Sequence, residues 1–190
     1  MKKISIKLSS FILFIFLSAT SCNDTTERRE GDAASQGDNM MGDANKRAMN
    51  VEEDFVTDAI EANAEELALL RLGANNGTDP EVKSHAQTML TEHEKMHYFF
   101  INFARTNNID LGDIDTTDNI NISDDRGIEW DEEWADEVGD LHNRMIRRFE
   151  RAEGRVNDAT LKNELSTSLP LMRKHLQTTD SLEKRLERKQ

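Results

Sequence analysis

Residues 78–103 read TDPEVKSHAQTMLTEHEKMHYFFINF. Val82, Ala86, Met89, His93, Met96, Phe100 and Phe103 recur there at alternating steps of four and three, the period that keeps one face of an α-helix apolar. Thr78-Asp79-Pro80-Glu81 supplies the start signal: a capping side chain, a proline in the first turn where its missing N–H costs nothing, and an early acid. The spacing predicts a helix over about 79–107. One residue on its seam is not apolar, and that residue is His93.

The same 4–3 alternation continues on both sides. A helix over about 52–75 carries Phe55, Ala59, Ala62, Glu66 and Leu69, with an end marked by Gly73 and Asn75-Asn76-Gly77. A third helix, about 129–155, carries Ala135, Val138, His142, Met145, Phe149 and Ala152. A fourth, about 158–188, carries Leu161, Leu165, Ser168, Met172, His175, Thr179, Leu182 and Leu186. Short turns join helices 1–2 and 3–4, so each pair is an antiparallel hairpin. The connection at about 108–128 is long and rich in Asp, Asn and Thr. Such length implies a crossover along a bundle rather than a simple turn. The expected fold is therefore all-α, a ferritin-like four-helix bundle occupying residues 51–190. No strand pattern is visible.

Composition agrees. Of 190 residues, 24 are Lys or Arg and 37 are Asp or Glu, a formal net charge of −13 that argues against nucleic acid as a partner. Two prolines and nine glycines are few for the many turns of a β-sandwich. A lone cysteine excludes an internal disulfide framework and a Cys-based zinc cluster.

That cysteine belongs to the N-terminal address. Lys2, Lys3 and Lys7 precede the short apolar run FILFIFL at 11–17, and small residues lead to Cys22. The pattern is a secretory signal, too short to span a bilayer. Small residues directly before Cys22 resemble a bacterial lipobox, so residues 1–21 are expected to be removed and Cys22 lipidated. The removed part holds three lysines and no acid, so the mature chain is more acidic still. The expected location is the cell envelope, in the periplasm or at the outer membrane, with a lipid anchor as its membrane contact. Residues 22–50 have no aromatic, Leu or Ile and read as a disordered tether.

Each helix puts one metal-capable side chain on its seam near mid-length: Glu66, His93, His142 and His175. At about 1.5 Å per residue these four can meet at the bundle centre. Imidazoles with a carboxylate suit Zn, Fe(II), Cu(II) or Ni, and not Mg or Ca. Buried polar residues can equally form a structural layer that sets helix register through hydrogen bonds.

Sharper motifs fare worse. His93-Glu94-Lys95-Met96-His97 is a literal HExxH, the zinc-protease string. His93 belongs to the buried seam, however, and there are no strands to line a peptide cleft. A di-iron carboxylate bundle needs Glu-x-x-His on two helices. Glu94 and His97 provide one, but the positions three before His142 and His175 are Gly139 and Met172. No catalytic residue is assigned. Trp130 and Trp134, at i and i+4, read as packing at the start of helix 3. Pro170 should kink helix 4 and free the Ser166 carbonyl.

Several pieces in order resemble one bacterial family. They are Phe55 followed eleven residues later by Glu66; Asp79-Pro80-Glu81-Val82-Lys83 running to Met89 and Glu92-His93; Trp130-Asp131 with Trp134; His142; and Leu169-Pro170 followed by His175. Over about 52–186 the chain is similar to the domain of unknown function 4142. The resemblance implies an exported protein with a ferritin-like fold, often described as an outer-membrane protein, in which Glu66, His93, His142 and His175 match recurrent polar positions. The family often has an acid before the helix 3 histidine; Leu141 stands there, with Asp140 one further back. No activity is attached to the family. Two readings stand: an envelope domain binding a transition metal through these four residues, or an interaction module whose acidic face docks a protein partner around a structural polar layer. A metal-dependent oxidase or peptidase is a third.

Overall fold

Helix is the whole of the regular structure among the described residues: α1 (Asp32–Asn76), α2 (Pro80–Asn107), α3 (Ile128–Glu153) and α4 (Ala159–Glu187). The computed structural model describes residues 32–112, 120, 122–123 and 126–189, with backbone alone for 32–45, 47 and 48. The signal segment and Cys22 lie outside the described residues. No described helix is long and apolar enough to cross a membrane.

The four seams are where their spacing puts them. Every seam residue named for helices 1, 3 and 4 is buried, and on α2 the run holds from Val82 to Phe100. At the end of α2 the half-buried Phe103 yields the core position to Ala104. Asp79 caps α2, accepting from the Glu81 N–H at 2.8 Å. Asp158 caps α4, accepting from Thr160 and Leu161. Pro170 is tolerated inside α4 because it is exposed, so the carbonyl it leaves unpaired lies on the wet side.

Helix α1 departs from expectation at its start. It begins at Asp32, so residues 32–50 are helix and not a disordered tether. The tether reading looked for apolar area that could offset ordering and found none. Extending a helix already anchored by packing needs no such area: each added residue gains a hydrogen bond, and Ala, Met, Lys and Arg are good helix formers. Gly73 also differs. It lies inside α1, and a Cβ there would meet the Trp134 ring at 2.3 Å. The glycine lets α3 approach, and the Trp134 indole N–H donates to the Leu69 carbonyl at 2.9 Å.

Helix α1 packs on α2 and α3, and α4 packs on α3 and α2, so α2 and α3 are diagonal. Phe55, Phe100 and Phe149 meet edge-to-face at 5.3–5.7 Å at one end. At the other end the Thr78 and Asp79 N–H groups donate to Asp131 at 2.8 and 2.7 Å. Hence α2 and α3 run parallel, and the chain between Asn107 and Ile128 joins opposite ends of the bundle. Its span matches α2, whose 28 residues at ~1.5 Å each cover about 42 Å. The core falls into two apolar halves. One contains the three phenylalanines with Met96, Met145 and Met172; the other contains Trp130, Trp134, Val82 and Met89. Asn63, Glu66, His93, His142, His175 and Thr179 are buried outside both.

Candidate metal centre

His93, His142 and His175 come from three different helices and meet. One ring nitrogen of each lies within 4.8 Å of the others, and all three residues are buried. Ring centroids are 5.2–5.4 Å apart. Parallel α2 and α3, with α4 antiparallel between them, bring mid-helix positions to one height.

The outer nitrogens decide what the inner ones offer. The Asn63 amide donates to the His93 carbonyl at 2.8 Å, which turns its oxygen toward the ring. His93 Nδ1 therefore donates to Asn63 Oδ1, at 2.7 Å. His142 Nδ1 faces the Val138 carbonyl at 3.1 Å and must carry the hydrogen there, since a carbonyl only accepts. His175 Nε2 donates to the Glu92 carboxylate, with Oε2 at 2.5 Å. In the neutral rings His93 Nε2, His142 Nε2 and His175 Nδ1 are then all lone pairs. His93 Nε2 has no partner, and His142 Nε2 and His175 Nδ1 face each other at 3.3 Å.

A proton cannot readily settle this arrangement at neutral pH. Burial pushes all three imidazoles below the ordinary value of 6.5, the His142 ring to about 3, and neighbouring rings push further on His93 and His142. For His175 the Glu92 hydrogen bond opposes the burial. A metal ion can settle it. Nitrogen ligands at about 2.0–2.1 Å and outer nitrogens hydrogen-bonded to a carbonyl, an amide oxygen and a carboxylate are the usual arrangement around a histidine-bound ion.

Glu66 is placed differently from the three histidines. It is fully buried, and Oε1 sits 3.4 Å from His142 Nδ1, the atom turned away from the other two rings. That N–H is committed to Val138, so both Glu66 oxygens lack a hydrogen bond. Burial, aided by Glu65 and Glu137 and opposed by Arg144, pushes the Glu66 carboxyl well above its ordinary range. The structure thus joins three of the four sequence-derived residues and sets the fourth behind His142.

Residues outside the seam reading complete the surroundings. Asn63 and Glu92, which orient His93 and His175, sit beside the seam positions, at Glu66 minus three and His93 minus one. Their signal was a polar residue at the edge of an apolar stripe. His85 bonds Thr179 through Nε2 at 2.9 Å, 6.4 Å from the His175 ring by centroids, and burial lowers it to about 4. The HExxH string does not converge. His97 is half-buried and lines a cavity with Ala64, Leu67, Ala68, Arg71 and Leu72, and Glu94 is exposed beside Arg71 at 3.7 Å.

The chain belongs to the family described as domain of unknown function (DUF4142), which matches residues 38–182. The match takes in all three histidines and begins inside the early part of α1. Neither a curated protein nor a solved structure matches the chain.

Proposed function

We propose that this member of the DUF4142 family is an envelope protein that binds one late transition-metal ion in the core of its bundle through His93, His142 and His175. The observation that carries the reading is the set of hydrogen-bond partners on the outer ring nitrogens. Asn63, Val138 and Glu92 take the three outer N–H groups and leave three inward lone pairs in a site too dry to protonate. A layer that served only helix register would also satisfy His93 Nε2, which has no partner. Zn, Fe(II), Cu and Ni suit imidazole, whereas Mg and Ca do not. Glu66 acts behind His142, on its Nδ1 side. The anchoring half of the proposal rests on the signal segment and Cys22.

The test is a melting curve of the full chain in detergent, stripped with chelator and then titrated with each metal. A metal bound only by the native state at 100 times its Kd adds roughly 2.7 kcal/mol, several degrees in a domain of this size. One metal should shift wild type at one ion per chain and leave His142→Ala unmoved. If no metal at tens of micromolar shifts wild type, the centre is a structural layer and the interaction-module reading replaces it. Separately, Cys22→Ser should release the protein from membranes; retention after high-salt washing would exclude the lipid anchor.

A further inference from the structure

Eight methionines occur in the chain, and among the described residues the four that are buried all lie within four positions of one of the three histidines. Met89 and Met96 flank His93, Met145 follows His142 by three, and Met172 precedes His175 by three. Because α2 and α3 run parallel and α4 opposes them, plus three, plus three and minus three all point the same way along the bundle. Met96, Met145 and Met172 accordingly fall in one apolar half, each about one helical turn along from its histidine, while Met89 falls in the other half. Elsewhere the core is filled by Leu, Val, Ile, Ala and aromatic residues.

Direction narrows the choice within that layer. Side chains on a helix lean toward its N-terminus. Met96 and Met145 are C-terminal to their histidines, so the general tilt of helical side chains directs them back toward the level of His93 and His142. Met172 and Met89 are N-terminal to theirs and lean away. A methionine has three rotatable bonds and reaches one turn without backbone movement.

We propose that the ion is copper(I), held by the three histidine nitrogens and completed by a thioether from Met96 or Met145. The inference rests on the three-histidine reading and names its metal. Two features favour copper(I). Thioether sulfur is a soft donor that matches the soft Cu(I) ion better than the harder Ni(II). The converging donors are also all uncharged: Glu66 sits beyond His142 and Glu92 beyond the far side of His175. The cost of burying an ion rises with the square of its charge, so a neutral donor set in a dry core favours a singly charged ion over a doubly charged one.

The full chain is titrated with Cu(I) under anaerobic reducing conditions against a chromophoric Cu(I) chelator, and with Zn(II) in parallel. X-ray absorption of the copper-loaded wild type reads the donor atoms. The expected result is one Cu(I) per chain with sulfur in the first shell. Met96→Leu/Met145→Leu, which nearly conserves volume, should weaken Cu(I) by about tenfold or more and leave Zn(II) binding unchanged. Met89→Leu should change neither. Nitrogen and oxygen donors alone, or a double variant with wild-type Cu(I) affinity, would overturn the copper–thioether assignment. His142→Ala abolishing whatever metal does bind would then still uphold the three-histidine reading. Binding of neither metal would overturn both. The X-ray absorption result stands even if the double variant folds poorly.

Discussion

Among the described residues two polar clusters are buried in this bundle, and they are built on opposite rules. At the α1–α2 turn, Asp131 is buried and both its oxygens accept backbone N–H groups, from Thr78 and Asp79. Asp79 in turn caps α2 and takes Arg185 at 2.8 and 2.9 Å and Lys189 at 2.7 Å. Every carboxylate oxygen there has a donor. In the histidine layer Glu66 and His93 Nε2 have no hydrogen bond, and His142 Nε2 and His175 Nδ1 have only each other, at 3.3 Å. A cluster whose buried carboxylates are all met by donors is structural. One that leaves acceptors facing each other in a dry core is incomplete, and what would complete it is a cation.

The contrast is sharpest when one carboxylate is removed from each cluster. Asp131→Ala strands two N–H groups at roughly 1–3 kcal/mol each and loosens the loop that presents Asp79, so a loss of about 3–5 kcal/mol is expected. Glu66→Leu should move the other way in the metal-free chain and gain about 1–3 kcal/mol, because it removes a buried carboxyl that bonds to nothing. Urea unfolding of the chelated protein reads both. Equal losses in the two variants would mean that Glu66 is paired as Asp131 is, and would erase the distinction between the clusters.

Acid separates the clusters in a second way. The layer histidines and His85 have folded-state pKa values below the ordinary 6.5, so the unfolded chain binds more protons below that pH. Their contribution is complete above about 6.5 and is lost as pH falls toward the folded values near 4 for His85 and 3 for His142. Hydrogen bonds from Arg185 hold Asp79 below its ordinary 3.8, so its contribution is present above that value and goes only in stronger acid. Glu66 has the opposite sign: its raised pKa contributes below the ordinary 4.5 and loses that contribution as pH rises. The metal-free melting temperature should therefore fall between pH 6.5 and 4 equally in wild type and Asp79→Asn. Asp79→Asn should melt lower than wild type by a constant offset over that range, and the offset should shrink only below about pH 4. An offset that already shrinks at pH 6 would assign the early loss to the wrong cluster.

How much of this could be read beforehand follows from what each feature depends on. Core stripes are chosen by burial, so the 4–3 spacing located all four seams, Ser168 and Thr179 included. The crossover followed from a connection too long for a turn. The early start of α1 escaped notice because it depends on helix propagation, which leaves no periodic trace. Within the site, spacing placed Glu66, His93, His142 and His175 at one height but not at one rotation. Whether a carboxylate points at the imidazoles or behind one of them is settled by a fraction of a helical turn. Asn63 and Glu92 were hidden for the same reason, since each borders a stripe. The completed Asp131 cluster was visible only as part of the Trp130-Asp131 pair, with nothing to say that its partners lie about fifty residues away.

The smallest expected effect is at Glu94, and it tests whether a motif or an environment identifies chemistry. In a zinc protease the glutamate of HExxH is the general base, and its amide variant is inactive. Here that logic has no geometry to act through. His93 faces inward to His142 and His175, His97 is not among the converging group, and the Glu94 side chain is about half exposed with Arg71 3.7 Å away. An exposed ion pair of that length contributes about 0–1 kcal/mol. Glu94→Gln should therefore change unfolding free energy by less than about 0.5 kcal/mol, the usual range for surface substitutions. Metal stoichiometry and affinity should match wild type. His142→Ala, which leaves HExxH intact, should abolish metal binding. If Glu94→Gln instead removed the metal response while His142→Ala kept it, the ion would sit on the HExxH face, and the inward-facing lone pairs would have misdirected the assignment.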